Sequence, residues 1–120
     1  MAASRVAEPQ LPGAMPFVDT PNLKVRPLVD GFRGRFLHTE QVTIGFVDAD
    51  AGALLPEHAH PHEQVTTCLS GEFELTVDGS VHRLAAGQSM VIAGGARHSG
   101  RAIVACKMLD VFQPPRDDYR

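Results

Sequence analysis

The sequence predicts an all-β domain, and three observations support this prediction. Short runs of β-branched and aromatic residues recur between turn signals from residue 23 onward, as in sandwiches and barrels. No segment of adequate length shows the apolar period of an amphipathic helix. The segment 72–84 reads as a hairpin, because polar and apolar residues alternate before Asp78-Gly79, a pair that favours a two-residue type I′ turn.

The apolar runs define the candidate strands in chain order. We predict strands at 24–28, 32–38, 42–48, 54–58, 64–69, 73–77, 81–84, 89–92 and 102–112. Residues 1–22 are rich in alanine and proline and are expected to form an irregular N-terminal arm. Residues 23–120 are expected to form one barrel domain, because a chain of 120 residues with 43% hydrophobic content can build one core.

Charge and composition exclude several functional classes. The net charge of −3 does not fit a nucleic-acid-binding domain, which is usually basic. The sequence shows neither a signal-peptide pattern nor an apolar run long enough to span a membrane. We therefore expect a cytoplasmic protein without nucleic-acid or membrane partners. Cys68 and Cys106 lie in apolar runs and are interpreted as buried free thiols, although the sequence leaves a single disulfide open.

A cluster of histidines is the main chemical signal in the sequence. His58 and His60 are two residues apart, so on an extended strand both side chains face the same side. Gln64 lies four positions after His60, so its side chain faces the same side if the strand continues in register after Pro61. Imidazole nitrogen and amide oxygen suit Zn, Ni, Mn or Fe. An isolated His-x-His pair more often lies on the surface without a ligand role than binds a metal. A metal site would therefore need a further ligand. His98, which follows a glycine-rich turn, is the candidate.

Two stretches resemble the motifs of the cupin superfamily. Residues 52–71 match the first motif, G-x5-H-x-H-x3-E-x6-G, at every spacing, with Gln64 where glutamate is usual. Residues 87–98 match the second, G-x5-P-x-G-x2-H, with Ala93 where proline is usual. Four positions after His98, where the family usually has an asparagine, this chain has Ala102. The resemblance spans roughly residues 40–113. It implies a double-stranded β-helix, or jelly-roll barrel, with one divalent metal ion held by His58, His60, Gln64 and His98.

The glutamine at the position of the usual glutamate ligand has a chemical consequence. A neutral amide leaves more positive charge on a bound ion than a carboxylate does, which strengthens its attraction for an anion. This favours non-redox chemistry on an anionic substrate. His62 is expected beside the site or at its rim, and His38 and His82 are expected to face solvent.

The C-terminal segment contains a second group of candidate residues. Asp110 and Phe112 share one face of a predicted strand. Asp110 faces the cavity if Leu109 and Val111 pack outward, and a carboxylate there is costly unless it is paired or functional. Prolines 114 and 115 end the strand, so that Arg116 could return over the barrel mouth and bind a carboxylate. From the residues alone, an alternative remains in which Asp110 and Arg116 pair with each other or with surface groups and Phe112 belongs to the core.

The tail 109–119, together with residues 58–64, resembles the KdgF family of small cupins. This resemblance implies conversion of 4,5-unsaturated monouronates, the products of pectin and alginate lyases, to linear 4-deoxy-5-ketouronates. In that family three histidines and one glutamine hold the metal, and an aspartate, a phenylalanine and an arginine contribute to the reaction. Here these are Asp110, Phe112 and Arg116. The implied partners are a small anionic substrate and a second copy, because cupins commonly form homodimers.

Two other functions remain open at the level of sequence. One is an Fe- or Mn-dependent cupin dioxygenase, against which Gln64 argues mildly. The other is a non-enzymatic cupin that binds a sugar or a small acid. A barrel of this kind supports many chemistries, so the fold alone does not decide among them.

Overall fold

The computed structural model describes residues 17–120, and residues 1–16 of the predicted arm lie outside the described residues. The strands are β1 (Arg26–Pro27), β2 (Phe32–His38), β3 (Thr43–Ala49), β4 (Leu54–His58), β5 (Glu63–Ser70), β6 (Glu72–Val77), β7 (Ser80–Ala85), β8 (Ser89–Ile92), β9 (His98–Ala102) and β10 (Cys106–Gln113). Short 3-10 helices occupy Thr20–Asn22 and Asp117–Tyr119. Within the described range, no helix has the length and apolar character needed to cross a membrane.

The strands form two antiparallel sheets that close into a jelly-roll barrel, as predicted. The larger sheet has the order β1-β2-β3-β10-β5-β8, and the smaller has the order β4-β9-β6-β7. Consecutive strands therefore often lie in different sheets, and β10 lies between β3 and β5. This arrangement confirms the predicted fold class.

Most strand boundaries agree with the sequence prediction, and one prediction is wrong. The bounds of β2, β4 and β8 coincide with it. In the hairpin, Asp78 and Gly79 both have positive φ angles, 47° and 85°, as a type I′ turn requires. The predicted strand 102–112 is instead the end of β9 and most of β10, separated by a bend at 103–105. The chain changes sheets there, and the Ile103 N–H donates to the Glu72 carbonyl.

The barrel interior is divided into an apolar end and a polar end. The apolar core contains Phe32, Phe73, Leu75 and Met108, with the free, buried thiols of Cys68 and Cys106. Toward the other end, the inward positions of β3, β5 and β10 are polar. They are Thr43, Gln64, Thr66 and Asp110. The strands therefore place polar side chains at one open end of the barrel and apolar side chains at the other end of its interior.

Candidate metal and substrate site

Three histidines converge at the polar end of the barrel. His58 is the last residue of β4, and it lies opposite His98, the first residue of β9, in the strand register. His60 follows in the loop to β5. One ring nitrogen from each of the three lies within 4.8 Å of the other two. His98 is only 2% exposed, so its end of the cluster lies inside the barrel.

Backbone carbonyls fix the orientation of all three rings. Nδ1 of His58 lies 2.9 Å from the Pro56 carbonyl oxygen, and Nδ1 of His98 lies 2.9 Å from that of Ala96. Nδ1 of His60 lies 3.1 Å from the His62 carbonyl oxygen. A carbonyl only accepts, so each Nδ1 carries the proton and donates it. Each Nε2 is then left with a free lone pair, the arrangement that metal-ligating histidines usually show.

The fourth predicted ligand, Gln64, joins this cluster through its side-chain oxygen. Its Oε1 lies 3.1 Å from Nε2 of His60, so two lone pairs face each other. Nε2 of His98 is buried and has no hydrogen-bond partner among the residues that the structure describes. Converging acceptors of this kind repel one another unless a cation lies between them. The residues therefore fit a divalent metal ion.

The protonation of the histidines also suits a metal. Burial lowers the pKa of His60, and the positive charge of Arg116 lowers it further. Burial likewise lowers the pKa of His98. Neutral imidazole is the form that binds metal, so these rings need not lose a proton near neutral pH. Three imidazoles and one amide supply no negative charge, and this donor set does not select one ion among Zn, Ni, Mn and Fe.

Asp110 lies in the same cavity, on the inner face of β10. The Thr66 hydroxyl donates a hydrogen bond to its carboxylate from the neighbouring strand β5. Burial raises the pKa of Asp110 to about 6, while hydrogen bonds from Thr66 and Gln64 and the charge of Arg116 act in the opposite direction. The structure thus brings Asp110 next to the predicted ligand Gln64.

Arg116 and Phe112 form the wall of the cavity near its mouth. The Arg116 guanidinium carbon lies 4.8 Å from the centre of the Phe112 ring and 4.2 Å from that of Tyr119. Arg116 donates to both carboxylate oxygens of Asp118, at 3.0 and 2.7 Å. Of the two pairings that the sequence left open for Arg116, the structure shows the one with a surface group, Asp118, and not the one with Asp110. Arg116 is only 8% exposed. Because its fork is occupied by Asp118, it supplies the cavity chiefly with a fixed positive charge.

The cavity has a volume of about 360 Å³, which falls within the range of small-molecule sites. Its lining includes four residues that the sequence analysis missed: Arg26, Thr66, Asp118 and Tyr119. Arg26 comes from β1, and its guanidinium donates to the Arg120 carbonyl at 3.1 Å. Arg26 and Arg120 are so far apart in sequence that their contact leaves no local pattern. The other three residues had a signal, because Thr66 shares the inward parity of Gln64, and Asp118 and Tyr119 lie in the tail 109–119.

The remaining histidines divide between the site and the surface. His62 is half-buried, with its ring centre 6.4 Å from that of Phe112, so it lies beside the site. His82 is exposed on β7, as predicted. The prediction that His38 faces solvent is wrong. Its ring is half-buried and forms hydrogen bonds with the Thr43 hydroxyl at 2.9 Å and the Tyr119 carbonyl at 3.2 Å. His38 thus helps to hold the C-terminal tail over the barrel mouth.

A comparison with protein-family models decides the family. Residues 45–112 match the model described as a cupin domain, which covers more than half of the chain. The chain belongs to the cupin family. The match spans β3 to β10 and includes all four predicted metal ligands together with Asp110. No curated protein matches this cupin.

Solved structures with the same architecture agree with this assignment. An RmlC-like cupin from Shewanella frigidimarina superposes with a TM-score of 0.84 at 26% identity, covering 89% of this chain and 97% of its own. KdgF from a Halomonas species superposes with a TM-score of 0.80 at 26% identity, covering 87% and 96%. A conserved Streptococcus pyogenes protein of unknown function, SPY1581, is 31% identical, with a TM-score of 0.66 and coverage of 74% and 79%. The chain is therefore a small cupin that resembles KdgF.

Proposed function

We propose that this cupin converts 4,5-unsaturated monouronates to linear 4-deoxy-5-ketouronates, with one divalent metal ion held by His58, His60, Gln64 and His98. One observation carries the proposal. The Asp110 carboxylate, the converging lone pairs of the ligand cluster and the positive charge of Arg116 all face one cavity. The likeness to KdgF and the resemblance of the tail 109–119 to that family support the same assignment. The two free thiols are consistent with the cytoplasmic location proposed here.

The reaction is an isomerisation, so the protein only has to move protons and hold the substrate. The ring form of such a uronate is a hemiacetal with an enol ether between C4 and C5. As the C1 hydroxyl loses its proton, the bond from C1 to the ring oxygen breaks, leaving an aldehyde at C1 and an enolate at C5. Protonation of the enolate at C4 then gives the 5-ketone. A metal ion bound to the four ligands would supply Lewis-acid stabilisation to an oxygen of the substrate.

Asp110 is the group placed to move these protons. Its carboxylate can accept the proton of the C1 hydroxyl as the ring opens and can deliver a proton to C4 as the ketone forms. The Thr66 hydroxyl donates a hydrogen bond to one carboxylate oxygen and so fixes the orientation of the carboxylate in the cavity. The proton that Asp110 takes from the C1 hydroxyl is the one that it returns at C4, so the isomerisation needs no net gain or loss of protons.

Aromatic side chains shape the wall against which the sugar ring would lie. Phe112 is buried, and its ring centre is 5.8 Å from that of His60 and 6.1 Å from that of Tyr119. These rings keep water away from the carboxylate and from the ligand cluster. Exclusion of water strengthens the electrostatic interactions inside the cavity, including the attraction between its arginines and an anionic sugar.

Arg26 is expected to bind the substrate carboxylate more directly than Arg116 does. The Arg116 fork is already filled by Asp118. Within the described residues 17–120, the Arg26 side chain has one hydrogen-bond partner, the Arg120 backbone carbonyl. Arg26→Gln should raise KM about 10-fold or more, as expected from loss of a charge-assisted hydrogen bond, with a smaller change in kcat. Steady-state kinetics would measure both constants.

A matched control for this variant is Arg33→Gln. Arg33 lies on the neighbouring strand β2 and pairs with Asp50 outside the cavity. Its replacement removes the same charge from the protein and should leave KM unchanged. Equal KM values for Arg26→Gln and the unaltered protein would show that Arg26 does not bind the substrate.

The direct test of the proposal uses an unsaturated monogalacturonate and the metal-loaded protein. The conjugated enol-ether acid absorbs in the ultraviolet, and this absorbance disappears when the linear ketouronate forms. We expect its loss to be faster than the spontaneous rate, without oxygen uptake, and the product to have the mass of the substrate. Oxygen uptake would instead favour the dioxygenase alternative, and binding without conversion would favour the non-enzymatic one.

A further inference from the structure

A fully buried hydroxyl connects the barrel to residues 114–120, here called the terminal segment. Thr43, the first residue of β3, is 0% exposed. Its Oγ1 accepts a hydrogen bond from the Arg116 backbone N–H at 2.8 Å and lies 2.9 Å from Nδ1 of His38. A buried polar group is costly unless it is hydrogen-bonded, and valine would fill the same space without that cost. The hydroxyl is therefore explained by these two bonds and not by packing of the barrel.

The hydrogen-bond partners assign the protons in this contact. The Tyr119 carbonyl oxygen, 3.2 Å from Nε2 of His38, only accepts, so Nε2 carries the ring proton. In the neutral ring, Nδ1 then accepts the hydroxyl proton of Thr43, while the hydroxyl oxygen accepts from the Arg116 N–H. The series of hydrogen bonds thus starts in the terminal segment at Arg116 and returns to it at Tyr119.

The side chain of Arg116 depends on this anchor for its place in the cavity. Its guanidinium is bound by Asp118 and lies 4.2 Å from the Tyr119 ring centre. Both partners belong to the terminal segment and move with it. Besides the contact of the guanidinium with Phe112 at 4.8 Å, its attachment to the barrel therefore depends on the hydrogen bonds above and on the stacking of Tyr119 against Phe36, with ring centres 4.4 Å apart.

The terminal segment also holds the second arginine of the cavity. The Arg120 carbonyl accepts a hydrogen bond from the Arg26 guanidinium at 3.1 Å. Arg26 and Arg116 both line the cavity, although they come from opposite ends of the described chain. One segment, fixed at Arg116 and Tyr119, therefore sets the position of both positive charges.

We propose that Thr43 and His38 are positioning residues, which anchor the terminal segment and thereby hold the charges of Arg26 and Arg116 in the cavity. Neither Thr43 nor His38 is among the described residues that line the cavity, so both act through the arginines. The anchor itself can be tested without a substrate. Its effect on substrate binding rests on the proposed function.

Tyr119 provides a direct measurement of the anchor. The chain has one tyrosine and no tryptophan, so its tyrosine fluorescence reports on the terminal segment alone. Thr43→Val keeps the shape of the side chain but leaves the Arg116 N–H without its partner, which favours release of the segment. Acrylamide should then quench Tyr119 at least about 2-fold more strongly than in the unaltered protein, because an unpaired buried donor is costly.

Conservative and control variants separate the anchor from a general loss of stability. Thr43→Ser keeps the hydroxyl and should restore the quenching of the unaltered protein. His38→Leu removes the other end of the anchor and should increase quenching as Thr43→Val does. The controls are Thr76→Val on β6 and His82→Leu on β7, both in the smaller sheet and outside the described cavity lining. Circular dichroism shows whether each variant keeps its β structure.

Steady-state kinetics test the consequence for the site. Release of the terminal segment displaces Arg116 and removes the partner of Arg26. Thr43→Val should therefore raise KM for unsaturated monogalacturonate about 10-fold, the size expected for lost interactions with charged groups, with a smaller change in kcat. The metal affinity should not fall, because none of the four proposed ligands belongs to the segment. Thr43→Ser should restore KM.

The outcomes distinguish failure of the anchor from failure of the proposed function. Stronger quenching in Thr43→Val and His38→Leu, with a raised KM and restoration by Thr43→Ser, supports the proposal. Quenching equal to that of the unaltered protein in both variants would overturn the anchor. Stronger quenching with an unchanged KM would overturn the positioning role. If the unaltered protein converts no uronate, the proposed function fails, and the quenching alone then decides whether Thr43 and His38 anchor the segment.

Discussion

Replacing Asp110 by asparagine should lower the turnover of an unsaturated monouronate by about 10² to 10⁴-fold, the usual contribution of a positioned acid or base. The amide has nearly the same shape and can still accept the hydrogen bond from the Thr66 hydroxyl, but it cannot take up and return a proton. The KM value should change much less than kcat. Steady-state kinetics with the metal-loaded variant would measure both constants.

The control for this experiment separates proton transfer from metal loss. Asp110 is not among the four proposed ligands, so Asp110→Asn should retain one ion per chain when its metal content is measured. Asp50→Asn makes the same chemical change at an exposed ion pair with Arg33 and should leave turnover unaffected. A fully metal-loaded Asp110→Asn protein with unchanged turnover would rule out the proposed role of this carboxylate.

Replacing His98 by alanine should lower the affinity for a divalent metal by more than about 100-fold. Changes in residues that merely orient a ligand already cost 10- to 100-fold, and His98 would contribute a ligand atom itself. In the unaltered protein, an ion at about 100 times its dissociation constant should raise the free energy of unfolding by about 2.7 kcal/mol. Thermal unfolding with and without the ion should show this gain in the unaltered protein and its loss in the variant.

His82→Ala provides the matched control for this variant. His82 is an exposed histidine on β7, outside the cluster, so its replacement should leave both the metal affinity and the metal-induced stabilisation unchanged. Unfolding curves recorded with chelator establish that the His98→Ala protein is folded. A folded His98→Ala protein with the affinity of the unaltered chain would show that His98 is not a ligand.

The sequence predicted the barrel well because turn residues mark most of its strand ends. Asp78-Gly79 ends β6 at the expected place, and glycines or prolines flank most of the other strands. The exception is the boundary between β9 and β10, where Ile103-Val104-Ala105 is apolar and partly β-branched. Such a run reads as a continuous strand. Its break results from the change of sheet, which no local residue signals.

The candidate site was predictable where its residues are close in sequence or belong to a motif. His58, His60 and Gln64 follow strand parity, and His98 follows the second motif; the structure brings their side chains together. The mouth of the cavity was not predictable. Arg26 and Arg120 are 94 positions apart, and the pairing of Arg116 with Asp118 rather than with Asp110 depends on how the tail turns after β10. These contacts depend on tertiary packing, which sequence parity does not describe.

The central claim is that a metal ion in the histidine cluster makes this cupin active on an unsaturated uronate. The most direct measurement is the rate of loss of ultraviolet absorbance from unsaturated monogalacturonate, recorded against the number of metal ions bound per chain. We expect the rate to rise in proportion to bound metal, to level off at one ion per chain, and to return to the spontaneous rate when a chelator removes the ion. Metal-free protein that is equally fast, or loaded protein no faster than the spontaneous reaction, would contradict the claim.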